Sequence, residues 1–244
     1  TGIYDFSFED FVGGEEGGSN VVLLGGEAGV FSLRDYISVE ESSVVLKHGD
    51  RIRVPVSVSI PTGAIPGGKF ASFLVSSRLE SDLSLNLEGQ SGAKILGRVG
   101  VLFFVTVPGD VKEDGSLQSF RVAKDSKILK GGEAVFQIGF ENTGTVHLNP
   151  YGVITIRNIV GQVVSRRIVD PWFVLPNSFR TRDITVSTEK YFGWYKATLE
   201  LNRGYDDVVD TGEVNFVVFT PTYLFVFAVA LMGVVFGWRR GIKK

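Results

Sequence analysis

Along most of this chain apolar and polar residues alternate with a period of two, which puts successive side chains on opposite faces of a strand. Tyr4, Phe6 and Phe8 alternate with Asp5, Ser7 and Glu9, predicting a half-buried strand almost at residue 1. Residues 13–29 are rich in glycine around the apolar run 21–24, which reads as a mobile insertion with a small hairpin. The spacing of Ser32 and Asp35 resembles a capping box and predicts one helical turn over residues 33–36. After the short apolar run 44–46, the residues Ile52, Val54, Val56, Val58 and Ile60 alternate strictly, predicting a strand over 51–60 with one buried face. Pro55 has no amide donor, so part of that strand belongs at an edge or bulge. Residues 61–68 form a turn, 69–77 a strand apolar on both faces, and Leu83, Leu85 and Leu87 alternate again. Val99, Val101, Phe103, Val105 and Val107 line one face of a strand whose other face carries Leu102 and Phe104.

The polar, turn-rich stretch 108–116 separates this half from a second series of short strands. These fall at 120–123, 134–141, 152–158, 162–169, 179–187, 195–202 and 212–219, which matches the count of an immunoglobulin-like sandwich. In the sixth, the inward residues are Tyr195, Ala197, Leu199 and Leu201. Tyr195 follows Gly193 at the start of that strand, where a tyrosine corner sits; contact with a ligand is the other reading of the same residue.

The two-residue period breaks at the C-terminal end. From Val214 to Trp238 there is no Asp, Glu, Lys or Arg, and Arg239, Arg240, Lys243 and Lys244 follow at once. Thr220 is an N-cap residue type and Pro221 suits a first helical turn, so a helix is expected over 221–238. At ~1.5 Å per residue it spans roughly 27 Å, close to a bilayer core of about 30 Å. Tyr223 and Trp238 fall at its ends, where amphipathic rings prefer the headgroup level. The basic tail places the C-terminus in the cytoplasm and everything before the helix outside. The expected architecture is therefore all-β: two tandem immunoglobulin-like β-sandwich domains followed by one C-terminal transmembrane helix. The first sandwich takes 1–108, the linker 109–119, the second sandwich 120–220, the helix 221–238 and the cytoplasmic tail 239–244. A strand so close to residue 1 leaves little room for a partner ahead of it. An earlier strand of that domain is then expected to have been lost, with an export signal or because the chain is a fragment.

Composition narrows the function classes. The chain carries 25 basic and 27 acidic residues, and without the four basic residues of the tail the balance is 21 against 27, a net charge of about -6 outside the membrane. Nucleic acid is not an expected partner of such a surface. There is no cysteine, so stability rests on the apolar cores and thiol chemistry is excluded. Residues 63–69 carry the spacing of a phosphate-binding loop as far as Lys69. Phe70 then stands where a magnesium-binding Ser or Thr is needed, and a strand follows instead of a helix. Gly89-Gln-Ser91-Gly-Ala93 is one glycine short of a nucleophile elbow; a hydrolase would have to pair Ser91 with His48 or His147, both in predicted turns. No cofactor is expected. Asp206, Asp207 and Asp210 share one loop, and Asp110, Glu113 and Asp114 share the linker; hard oxygen donors from two loops suit calcium, and a pair of solvated acidic loops is the plainer reading.

Orientation also sorts the loops of the second domain. If its last strand ends at the membrane, loops 203–211 and 142–150 lie at the far end, and Lys124, Lys127 and Lys130 face the headgroups, where anionic lipid favours basic side chains. Arg157, Arg166, Arg167, Arg180 and Arg182 occur on neighbouring strands, beside an apolar connection that contains Trp172. Arginine forks and exposed aromatics suit an anionic polymer or a protein partner; cross-strand charge pairing with Trp172 in the core is the alternative. Gly233 and Gly237 have the spacing that lets two membrane helices approach, and so could mediate self-association.

A resemblance can be placed on particular stretches. Residues 54–75 with Pro61 and Pro66-Gly67-Gly68, then Gly100 to Gly109, resemble the first domain of the WxL-interacting surface proteins of Gram-positive bacteria. Phe140-Glu-Asn-Thr-Gly144, Leu148-Asn-Pro-Tyr-Gly152, Val174-Leu-Pro-Asn-Ser178 and Gly193-Trp-Tyr195, with the apolar segment and basic tail, are similar to the rest of that family. The resemblance implies a two-domain immunoglobulin-like surface protein, its first domain associated with peptidoglycan and its second with a partner. It carries no binding residue over. The sequence thus points to a non-enzymatic, single-pass membrane protein at the cell surface, binding cell-wall polymer or another surface protein. An accessory subunit of a membrane complex and an extracytoplasmic hydrolase are the alternatives.

Overall fold

The computed structural model describes residues 1–14, 21–79, 97–123 and 128–219. The chain is all-β and divides into two units, one of residues 1–14, 20–113 and 144–146, the other chiefly of 114–143 and 147 onward. No helix among the described residues is long and apolar enough to cross a membrane. The segment 221–238, the basic tail, Ser91, Lys124, Lys127, Gly233, Gly237 and the alternation at Leu83 to Leu87 all lie outside the described residues.

In the first unit, β1 (Gly2–Glu9), β5 (Ser43–Leu46), β7 (Gly67–Leu79) and β8 (Arg98–Val107) form an antiparallel sheet in the order β5-β1-β7-β8. β1 is thus paired on both sides. Two smaller ladders accompany the sheet: β2 (Phe11–Gly13) with β3 (Val21–Leu23), and β4 (Ile37–Val39) with β6 (Val56–Val58). The first is the hairpin expected around the glycine-rich stretch. The second covers one face of the sheet, because Ile37 and Val56 pack with Leu33, Ala71, Phe8 and Phe103. On the opposite face Phe70 meets Phe11, Phe31 and Phe104 at centroid separations of 5.5–6.0 Å.

Two local expectations need correction. The long strand over 51–60 contracts to the three residues of β6, and Ile52 and Val58 of its supposed buried face are 47% and 41% exposed. Pro55 offers no amide to a ladder, and beyond β6 the Ser59 amide bonds back to the carbonyl of Tyr36. The helical turn is present as a 3-10 turn over Arg34–Tyr36, but Leu33 is its cap and makes no side-chain bond. Ser32 instead forms an isolated β-bridge with Phe70.

The second unit is a sandwich of two sheets. One is five-stranded, in the order β10 (Ile128–Lys130), β16 (Val209–Phe219), β15 (Gly193–Asn202), β12 (Tyr151–Asn158), β13 (Val163–Val169). The other is β14 (Ser178–Ser187), β11 (Glu133–Asn142), β9 (Gly115–Val122). This is an immunoglobulin-like arrangement, with all seven strands read from the sequence present and β10 added, parallel to the end of β16. Inward positions alternate as the pattern requires. Phe136, Ile138 and Phe140 of β11 face Ile154, Ile156, Leu199, Leu201 and Phe216, all nearly inaccessible. Phe136 crosses the gap to meet Phe216 edge-on at 5.4 Å. Each such side chain contributes about 1.5–3 kcal/mol by leaving water. Tyr195 closes the tyrosine corner: its hydroxyl accepts from the Phe192 amide at 3.0 Å and donates to the Phe192 carbonyl at 3.3 Å.

Candidate functional site

Strand register divides the arginines that the sequence groups together. Arg157 on β12 stands opposite Lys196 and Val163, and Arg166 on β13 opposite Thr155. Both belong to the outer face of the five-stranded sheet, since Ile154 and Ile156, which alternate with them, are fully buried. Arg167 stands opposite Ile154 and takes the other face of that edge strand. On β14 the inward face is marked by Ile184 and Val186, and Arg180 and Arg182 share it by the same period. A single arginine face is therefore not formed: the five residues lie on two sheets and on faces of opposite sense.

Arg180 has a local role instead. Arg180 Nη1 donates to the Phe173 carbonyl at 2.6 Å, and the guanidinium lies 4.2 Å from the centroid of the Phe173 ring. Burial, and then the neighbouring charge of Arg182, hold the Arg180 pKa below its ordinary value. Arg182 Nε is buried and has no hydrogen-bond partner. Arg180 thus braces the connection over 171–176 against β14. Trp172 of that connection is 5% exposed and meets Phe140 edge-on, so it is a core residue and not an exposed anchor for a partner. The apolar side chains of 171–176 that looked available for binding are spent on the core: Val174 and Leu175 are buried as well, and Val174 pairs with Leu148.

The acidic loops also resolve into other contacts. Asp210 Oδ1 accepts from Arg203 Nη2 at 2.6 Å, and Oδ2 accepts from Arg203 Nε at 3.0 Å and from the Leu117 amide at 2.8 Å. Its hydrogen bonds, followed by that of Tyr205, push the Arg203 pKa further up. The Tyr205 hydroxyl bridges the amide and carbonyl of Gly115. What the sequence offers as part of a calcium site is, for Asp210, a two-pronged ion pair between β16 and the loop after β15, with one further bond to β9. Asp206 and Asp207 occupy left-handed backbone positions in the loop between β15 and β16, with φ of 49° and 51°. The Asp114 carbonyl accepts from the Thr143 amide, while Asp110 and Glu113 belong to the first unit. No group of three or more His, Asp or Glu among the described residues is placed to hold a metal ion.

Of the other candidates, residues 61–64 form a turn with Gly63 at φ 94°, and the chain enters β7 at Gly67; no helix follows Lys69 to present a phosphate site. His48 sits in an exposed turn of the first unit. His147 belongs to the second unit, and burial alone lowers its pKa from the ordinary value. Loops 142–150 and 203–211 share one end of the sandwich, where Gly204 lies against the Asn149 backbone. Lys130 lies at the other, opposite Phe219.

Sequence reasoning missed one buried carboxylate. Asp10 is 1% exposed and accepts from the amides of Gly29 at 3.0 Å and Arg34 at 3.3 Å, closing the loop between β3 and β4. Its only signal is an acid placed directly between two apolar strand patterns.

No family model and no curated protein matches this chain. Among solved structures it is similar to a chain of a chaperone-tip adhesin complex described as vital for synergistic activation of CFA/I fimbriae biogenesis: 11% identity over 88% of this chain and 84% of that one, with a TM-score of 0.39. It is similar in the same way to the class 5 fimbriae chaperone CfaA, at 11% identity over 88% and 86% and a TM-score of 0.38. A beta-glucosidase from Listeria innocua in complex with isofagomine matches 46% of this chain with 17% of its own, at 13% identity and a TM-score of 0.29.

Proposed function

We propose that this chain is a non-enzymatic, single-pass membrane protein that holds its two β units outside the cell and attaches within the envelope to cell-wall polymer or another surface protein. The observation that carries the reading is the charge-free run Val214 to Trp238, closed by Arg239, Arg240, Lys243 and Lys244. It begins inside β16, the last strand of the second unit, so that unit leads directly into the anchor. The resemblance to WxL-interacting surface proteins supports the same order of parts. On the outer face of the five-stranded sheet Arg166 is exposed, as is Arg167 at its edge, and both are suited to carboxylates or phosphates of a polymer.

Two experiments test it. Membranes bearing the full chain are extracted at alkaline pH beside membranes from cells making the chain stopped at Thr220. The full chain stays with the bilayer and the stopped chain is released; release of both contradicts the anchor. Purified full chain in mild detergent is then applied to cell-wall polymer with salt varied. Retention that falls with salt and is lost in R166A/R167A supports polymer binding through those arginines. Retention unchanged in the double variant moves the site to the first unit. Absence of retention, with co-purification of other membrane proteins, supports the reading as a subunit of a membrane complex.

A further inference from the structure

The end of the second unit from which β16 emerges carries a set of apolar side chains in water. Register brings them together: Ile128 stands beside Val217, Trp194 beside Val217 on the other side, and Tyr195 beside Asn158, the last residue of β12. Beyond Asn158 the turn to β13 presents Ile159 and Val160, which are 81% and 73% exposed. Trp194 is 66% exposed and Ile128 62%, while Phe192 and Phe219 meet edge-on at 6.0 Å and are themselves half open to solvent. A shallow groove between Ile159 and Trp194, floored by Arg157, Asn158 and Tyr195, joins the two halves of this rim.

The turn is built to keep that exposure. Asn158 Oδ1 accepts from the amides of Val160 at 3.2 Å and Gln162 at 2.9 Å, its carbonyl accepts from the Gly161 amide at 2.9 Å, and its Nδ2 donates to Gln162 Oε1. Gly161 supplies the left-handed residue the turn requires, with φ 85°. Turns of this kind ordinarily carry polar residues at the apex, because the apex faces water. Here the apex is Ile159-Val160, and the amides of Val160, Gly161 and Gln162 are satisfied within the turn. An apolar medium penalises unpaired amides, so a loop with internal partners can enter it at low cost. Three basic residues stand at the same end, beside the acids Glu133 and Glu189: Lys130 opposite Phe219, Lys190 in the turn before β15, and Arg157 beside the groove. Lys196 nearby is already paired with Glu213 at 2.6 Å.

We infer that this rim docks on the surface of the bilayer that anchors the chain. Ile159, Val160, Phe192 and Trp194 enter the boundary between headgroups and acyl chains, with Lys130, Lys190 and Arg157 among anionic headgroups. The occupant is set by where the chain goes: Phe219 belongs to the rim and is separated from the expected helix by Thr220 alone, so the membrane is the surface within reach. The inference rests on the anchored reading. Docking holds the second unit against the membrane and makes it the fixed base of the exposed part of the chain.

The test uses the full chain reconstituted in vesicles of phosphatidylcholine and phosphatidylglycerol, and exploits the three tryptophans Trp172, Trp194 and Trp238. In W238F the remaining reporters are Trp194 at the rim and Trp172 in the core. Brominated acyl chains quench Trp194, its emission shifts to shorter wavelength on reconstitution, and the double variant I159D/V160D abolishes both changes while still floating with the vesicles. Replacing phosphatidylglycerol by phosphatidylcholine weakens the quenching. If W194F retains quenching of Trp238 while Trp194 in W238F is untouched by bromolipid, the anchor stands and the docked rim is overturned. Quenching of Trp194 that depends on protein density and not on bromolipid assigns the rim to a second copy of the chain and also overturns it. Failure of every variant to float overturns the anchored reading and this inference together.

Discussion

Replacing Asp210 by alanine removes three hydrogen bonds, one of which joins the two sheets of the second unit. Its carboxylate holds Arg203, the first residue after the neighbouring strand β15, through both oxygens, and the Leu117 amide of β9 in the opposite sheet. The Leu117 bond is worth about 1 kcal/mol, and the charge-assisted pair about 1.5–3 kcal/mol. Cutting one member of a fully buried pair costs roughly 3–5 kcal/mol. The Arg203 and Asp210 side chains are 24% and 17% exposed, so water relieves part of that cost. The expected loss for D210A is therefore ~2–3 kcal/mol, equivalent to roughly 10 °C in melting temperature for a unit of this size. R203A leaves the Leu117 bond in place and should lose less. In the double variant the losses should fail to add by about 1 kcal/mol or more, because both act on one contact. Urea unfolding of the detergent-solubilised chain, carrying W194F and W238F so that Trp172 alone reports on the core, gives these numbers directly. A loss below about 0.5 kcal/mol for D210A, or strict additivity with R203A, would refute the reading of Asp210 as a coupled anchor that holds Arg203 and the opposite sheet together.

Other expectations follow from single contacts. Y195F removes the hydroxyl that bridges the Phe192 amide and carbonyl, and should cost about 1 kcal/mol in the same unfolding assay with the fold retained. G152A drives a methyl group into the Glu200 carbonyl and the Leu201 backbone across the β12–β15 ladder, so a loss of about 1–3 kcal/mol is expected, read as a lowered urea midpoint; an unchanged midpoint would show that the strands can part there. His147 has a folded pKa below its unfolded value through burial, so the unfolded state binds more protons as pH falls below about 6.5. Its contribution is complete above that pH and declines below it. The gap in stability between the native chain and H147Q should therefore change between pH 7 and 5 in the direction of the variant, and a gap independent of pH would rule out a buried neutral imidazole.

The strands of the second unit were legible because their alternation is regular and their inward positions are Phe, Ile and Leu. β10 was not: three residues carry no period, and its partner is the end of β16, far away in sequence. The overlong strand at 51–60 shows the opposite failure. Its alternation is real, yet a strand needs a partner for its amides, and Pro55 has none to offer. For the arginines, residue type and local spacing were readable, but sidedness was not. The bulge between Ile156 and Arg157 and the pairing of Arg167 with Ile154 decide which way each side chain points, and neither is written in the local pattern. Trp172 lay in an apolar connection that reads equally as core or surface; its bridge neighbours Leu148 and Val174 place it in the core. The apolar apex Ile159-Val160 was visible as residues and invisible as a feature, because only the turn held by Asn158 makes it an apex.

The side of the membrane from which each end of the chain can be reached tests the single-pass topology most directly. Because the chain has no cysteine, single cysteines introduced at Glu200, an exposed position on β15, and at Lys244 report without background. In intact cells a membrane-impermeant maleimide should label E200C and leave K244C untouched until the membrane is opened. Labelling of K244C in intact cells, or protection of E200C in cells stripped of their wall, would contradict a single-pass protein that holds its β units outside.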